Sequence, residues 1–365
     1  MRSVVEKLCR LAVCGLLAAL PAMAQTDAGA AVVLGGPVAL GPQFLLSTGL
    51  LSPHPEAAAV LAAGVGELGL QYGVANTFAK SDALDKLLEA HGSRAPLSIA
   101  EADALARRLG PAKTLYFLDG EVSRTAITLR RGFAGGLELE AVLPVIDAGG
   151  GYTDRLIEGF HSGFGLSQNE RLTVPRNTYT VYLRSGATSL TREVAPGPAL
   201  GDLVLGAKLA LPPTAGLDRL AIQLLGKAPT GARDSLYSSG RPDLGVQLLG
   251  GRAFARSSLH FTLSALALSS WKELGTPSQL VLAGSFAYER ALFSSYSALL
   301  QLDLSQSPFR REKGSPLTAN TYLATLAVHH SLGRDRTLYL AFTENLFSFD
   351  NTADAGLLVG VRRRF

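Results

Sequence analysis

From Glu67 onward the chain alternates. Leu68, Leu70, Tyr72 and Val74 stand opposite Glu67, Gly69, Gln71 and Gly73, a period of two that puts one set on each face of a β-strand. A second strand is predicted over 115–130 and a third over 137–145, with Leu137, Leu139, Ala141 and Leu143 opposite Glu138 and Glu140. The glycine-rich 132–136 joins them as a tight turn. The scheme repeats over 202–211, 220–227, 243–249, 259–268, 280–288, 296–304, 322–328 and 338–342, which puts His260, Thr262, Ser264, Ser285, Glu289, Gln301 and Asp303 on the polar face. In the final segment Ala355, Leu357, Val359, Val361 and Phe365 share one face. Asp354, Gly356, Gly360, Arg362 and Arg364 share the other. Leu358 falls among the polar positions. Arg363 falls on the apolar face, a placement that suits a snorkelling side chain at a membrane interface.

About twelve such strands, the last ending on an aromatic residue, predict an all-β fold: a closed antiparallel transmembrane β-barrel over 65–365. Short links at 212–218, 253–257, 292–295 and 332–336 are expected on the periplasmic side, and the long links outside. Within the link 80–113, Ser98 and Glu101 form a capping box before 102–109, which predicts a short helix. The longest link, 147–198, is expected to hold a second helix and a small hairpin near 178–184. Residues 25–64, punctuated by Pro37, Pro42, Pro53 and Pro55, suit an extended N-terminal segment or small plug better than a strand.

Composition agrees with a lipid-facing exterior. Hydrophobic residues make up 47% of the chain and its mean hydropathy is +0.22. Yet after residue 24 no run approaches the ~20 apolar residues of a spanning helix. Alternation resolves this, because a barrel needs only every second side chain apolar. Residues 1–24 carry Arg2, Lys7 and Arg10, an apolar stretch 11–20 and Ala22-Met23-Ala24, which predicts a signal peptide cleaved near Ala24 and export to a bacterial outer membrane. Both cysteines, Cys9 and Cys14, lie in that segment, so no disulfide is expected in the mature chain. Its loss also removes three basic and one acidic residue and lowers the formal charge from +4 to +2, which argues against a nucleic-acid partner. The expected partners are outer-membrane lipid and lipopolysaccharide. The barrel-assembly machinery is a third, through the terminal strand ending in Phe365.

Two constellations carry candidate chemistry. On a helix, Asp154, Glu158 and His161 share one face, beside an apolar stripe with Phe160 and Phe164. They can bind a cation or a ligand, or gate the mouth. The plainer reading is a loop helix that packs its aromatics into the barrel mouth while its polar face pairs with arginines. Inside the lumen, Arg124 and Arg130 precede a turn followed by Glu138 and Glu140, with Asp202 and Lys208 on the next strand. These charges either stiffen the interior by cross-strand pairing or set a transverse field at a constriction. Glu344 is a weaker addition to the acidic wall, since its parity disagrees with 338–342 unless a bulge intervenes. His161-Ser162 are adjacent and diverge, so hydrolytic catalysis finds little support. No nucleotide motif, His-Glu-x-x-His or paired-Cys motif occurs, and neither cofactor nor metal is indicated.

Leu118-Asp119-Gly120-Glu121, Asp154 with Ile157-Glu158, Phe160-His161 with Phe164-Gly165-Leu166, Arg171, Gly201-Asp202 and Phe365 together resemble a family of Gram-negative outer-membrane proteins classed only as a domain of unknown function. The resemblance spans about 46–365 and is most specific over 154–171. The helix at 98–109 stands out as an insertion. It implies a barrel and a location and supplies no activity. Pro229-Thr230-Gly231 with Asp243-x-Gly245 also resembles barrels encoded beside aromatic-degradation pathways, although Pro-Thr-Gly is ordinary turn chemistry. The functional expectation is passive passage or binding of a small solute, for which the stripe of Phe160, Phe164 and Leu166 suits an apolar or amphipathic ligand better than a sugar. The alternatives are a plugged structural or surface-interaction barrel and, less favoured, an outer-membrane hydrolase.

Overall fold

Strand pairing closes on itself. The computed structural model describes residues 34–365 except 92–93, 166, 215 and 310–314, so the expected signal segment lies outside the described residues. The strands are β1 Gly66–Lys80, β2 Leu115–Phe133, β3 Leu137–Gly149, β4 Thr180–Ser185, β5 Thr188–Arg192, β6 Gly197–Leu200, β7 Leu203–Leu211 and β8 Arg219–Ala228. They continue as β9 Asp243–Ala253, β10 Ser257–Leu268, β11 Gln279–Ala291, β12 Tyr296–Ser305, β13 Thr321–Leu332, β14 Arg336–Asn345 and β15 Ala355–Arg364. β1, β2, β3 and β7 to β15 form a ring of twelve antiparallel neighbours, which β15 closes by pairing with β1. Closure leaves no ring edge unpaired, as hydrocarbon requires. The β4–β5 hairpin extends β2 beyond the ring, and β6 lies on the upper end of β3. No described helix is long and apolar enough to cross a membrane.

Register fixes which side chains face out. Leu70 pairs with Ile127 and Val361, Ile127 with Leu143, and Phe342 with Leu357. Leu224, Leu244 and Leu340 on the same outward face are about 60% exposed or more, a belt suited to lipid. At the short-turn end this face carries exposed Arg131, Arg252, Arg290, Arg336 and Arg363, near the aromatic side chains of Phe133, Phe254, Phe293, Tyr296 and Phe365. The upper outward positions are acidic instead: Asp119, Glu121, Asp147 and Glu344.

Three helices decorate the long-loop end: α1 Asp82–His91, α2 Ile99–Leu109 and α3 Asp154–Phe164. The predicted N-cap is present, since Ser98 accepts a hydrogen bond from the Glu101 amide. α1 was not predicted. Its Leu84 and Leu88 join Leu97 and Ala102 against Phe78 and Phe117 on the outward side of β1 and β2, where protein replaces lipid.

Residues 34–64 form neither helix nor strand and lie inside the barrel. The segment starts low, where the Gly35 and Gly36 amides donate to Glu289 at 2.7 Å each. It rises past Gln301, which exchanges two hydrogen bonds with Val38. At the top Phe44, Leu46 and Leu50 join an apolar cluster with Tyr116, Leu118 and Trp271. The descent runs from the Leu51 amide on Asp243 to the Leu61 amide on Glu138, and the Gly64 amide reaches the turn at Gly132. Inward Leu358 now has a partner: it packs with Val38 and Leu40.

Candidate functional site

The lumen wall and residues 34–64 share their charges. Lys208 lies 2.8 Å from Glu56 and 2.9 Å from Glu138. Arg130 contacts Glu140, Glu56 and Glu67, His54 lies 3.3 Å from Glu140, and Gln223 donates to Glu56. Higher up, Lys227 reaches Asp202 at 2.8 Å, Asp243 at 3.2 Å and the Gly49 carbonyl. Lys208, Arg130 and Lys227 each meet carboxylates, as burial demands. Five of the six predicted lumen charges, Arg130, Glu138, Glu140, Asp202 and Lys208, enter this network. Asp202 pairs with Lys227 rather than with Lys208.

The sixth does not. Arg124 forms no ion pair among the described residues, and its Nε is buried without an acceptor. It borders a cavity of about 610 Å³ lying between the wall and the two limbs of the inner segment. Arg362 borders the same cavity, 5.7 Å from the centre of the Tyr339 ring; it too lacks a carboxylate partner and donates to the Gly35 carbonyl. Gly41, at φ +70°, passes so close that a Cβ there would lie 2.8 Å from the Arg124 guanidinium carbon. The role of residues 34–64 in shaping this space was legible only as proline-rich chain. Arg362 was read as polar-facing, but nothing in its spacing marked it as a cavity residue.

Asp154, Glu158, Phe160 and His161 occupy α3, as predicted, but not over the mouth. Asp154 accepts from outward Asn76 at 3.0 Å and from Arg171 at 2.8 Å. The Phe160 ring lies 5.6 Å from outward Phe342. The helix thus sits on the flank of the rim, and the expectation that it covers or fills the barrel mouth is corrected: the strand residues it touches, Asn76, Phe342 and Glu344, project from the outward face. The side chain of Phe164 lies outside the described residues. The predicted trio also divides. Glu158 is held by Arg94 at 3.0 Å and by Arg176; burial alone would raise its carboxyl, but the guanidinium hydrogen bonds prevail and hold it below the usual range. His161 turns instead toward Glu344, 3.9 Å away. Glu344 faces outward without any bulge, so it does not extend a lumen wall.

One nucleophile–base pair escaped the sequence reading. Ser258 Oγ lies 2.8 Å from His260 Nε2 on the inward face of β10. His260 Nδ1 is buried with no partner, so no third group orients the ring as a hydrolytic triad requires.

Solved structures that resemble this fold include outer-membrane barrels. The COG4313 outer membrane channel from Pseudomonas putida F1 superposes with a TM-score of 0.50 at 13% identity, over 86% of this chain and all of that one. The NanC porin gives 0.40 at 9% identity, over 81% and 98%. No curated protein matches the sequence. The family resemblance carried by the segment 154–171 is borne out by a match over residues 13–365: the chain belongs to the DUF3187 family, proteins of unknown function.

Proposed function

We propose that the protein is an outer-membrane channel for small anionic solutes, in which residues 34–64 set the width of the passage. The observation that carries this reading is the cavity of about 610 Å³ beside two guanidinium groups, Arg124 and Arg362, that form no ion pair among the described residues. In a low-dielectric lumen such groups attract and orient anions. The apolar outward belt, with arginines at its short-turn end, supports a membrane setting in which those side chains meet phospholipid headgroups. That the similarly folded COG4313 protein is an outer membrane channel agrees with the reading. Arg124 and Arg362 favour an anion over the apolar solute suggested by the α3 aromatics, because Phe160 lies off the lumen.

A filled structural barrel is the second reading, and the satisfied Lys208–Glu56–Arg130 network favours it. Planar-bilayer recordings on the refolded chain from Gln25 separate the two. A channel gives discrete steps with a reversal potential displaced toward the anion potential in a KCl gradient. Replacing Arg124→Gln together with Arg362→Gln moves that potential toward zero, and removing residues 25–64 enlarges the steps. A folded barrel that stays silent with and without the segment would overturn the channel reading.

A further inference from the structure

We propose that His161, Glu344 and Asp354 form a divalent transition-metal site, of the Zn²⁺ type, on the outward flank of the upper rim. One ligand atom from each residue lies within 4.8 Å of the other two. His161 Nε2 and Glu344 Oε1 are 3.9 Å apart, against roughly 3.4 Å for two ligands about 2.1 Å from a tetrahedral ion. A rotamer adjustment closes that gap.

The second observation is the imidazole itself. His161 is 5% exposed, yet neither ring nitrogen has a hydrogen-bond partner, and Glu344 Oε2 is also buried and unpartnered. Three orphaned polar atoms in one place are costly unless something fills the space between them. Two other His or carboxylate triads occur among the described residues, and each already encloses a cation. Arg130 and Lys208 serve His54, Glu56 and Glu140, and Lys80 serves Asp85 and Glu170 beside Glu89. At His161 the nearby cation is Arg171, which touches Asp354 alone, at 2.8 Å, and spends its other arm on Asp154. Arg171 therefore orients one ligand from behind, as outer-shell groups do, and leaves the centre open.

Charge points the same way. Asp119, Glu121 and Glu344 face outward at this end, and Asp154 and Asp354 share Arg171, whereas the opposite end of the outward face is basic. An imidazole with two carboxylates selects Zn²⁺ or a similar ion over Ca²⁺ and Mg²⁺, which prefer all-oxygen sets. The three ligands come from α3, the end of β14 and the residue preceding β15. A bound ion would cross-link the β3–β7 loop to the β14–β15 loop on the barrel wall.

The test uses the chain from Gln25, refolded in detergent, stripped with chelator and titrated calorimetrically with Zn²⁺ alone. Folding is verified for every variant by heat-modifiable mobility. The expected result is one equivalent per chain. His161→Ala and the near-isosteric Glu344→Gln should each weaken binding beyond the roughly 10–100-fold that an outer-shell change costs, and His330→Ala should not. Co²⁺ in place of Zn²⁺ should give visible absorption that His161→Ala abolishes. Absence of binding, binding indifferent to both substitutions, or Ca²⁺ binding of equal strength that survives His161→Ala would each overturn the proposal.

Discussion

Residues 34–64 and residues 150–177 are both long stretches outside the strands, and they end on opposite sides of one wall. The first bonds to Glu289, Gln301, Asp243, Glu138 and Lys208, all inward by register. The second bonds to Asn76, Glu121 and the flank of β14, all outward. Strand parity decides the outcome: a loop goes where the wall presents unsatisfied polar groups. A lumen offers them along its full height. The outward face offers them only above the lipid belt, where Asn76, Phe78 and Lys80 continue β1 beyond its apolar stretch.

The inner half of that comparison should be the harder to disturb. Lys208→Met leaves Glu138 buried without its cation and Glu56 with Arg130 alone, which should cost about 3–5 kcal/mol. Denaturant unfolding from lipid vesicles measures it, and a second change, Glu56→Gln, should recover part of the loss. An unaltered midpoint would show that this network does not anchor the segment. Glu289→Gln is milder. It removes the charge that accepts from the Gly35 and Gly36 amides, hydrogen bonds of about 1.5–3 kcal/mol when the acceptor is ionised. Hydrogen exchange at those two amides should accelerate while α3 keeps its protection. Equal acceleration in α3 would mean that the two segments are coupled through the wall, and the contrast drawn above would fail.

The same contrast explains how far the sequence could be read. Alternation located all twelve ring strands because lipid imposes it, and it put Glu138, Glu140 and Lys208 on the correct face. It stopped at Val74, whereas β1 continues to Lys80, because protein rather than lipid covers those outward positions and hydrophobicity no longer has to alternate. α1 was missed for the same reason: its leucines pack on Phe117 and on Phe78, which lies beyond the predicted end of β1. The α3 helix itself was legible from its periodicity. Its side of the wall was not, since that depends on the outward parity of Asn76 and Phe342, which only the pairing register fixes. The cavity arginines show the converse. Arg124 was read as one more paired lumen charge, and nothing local reveals that residues 34–64 bring no carboxylate to it.

The smallest expected effect lies on the outer flank and depends on pH. Glu158 is held by Arg94 and Arg176, so its carboxyl titrates below the usual range in the folded protein. The unfolded chain therefore binds the proton first as pH falls. The docking that this carboxylate supports is complete above the ordinary glutamate value of about 4.3 and is lost as pH drops through the depressed folded value. Both arginines reach solvent, Arg94 by a third of its side chain and Arg176 slightly more, so screening keeps the effect modest. Hydrogen exchange over 154–164 should quicken below about pH 4 while the amides on Glu289 stay protected. Glu158→Gln should remove the pH dependence and leave α3 uniformly less protected. If protection of α3 is flat across that range in the unsubstituted chain, the arginine clamp does not hold the helix, and its hydrophobic contacts through Ile157 and Phe160 must do so instead.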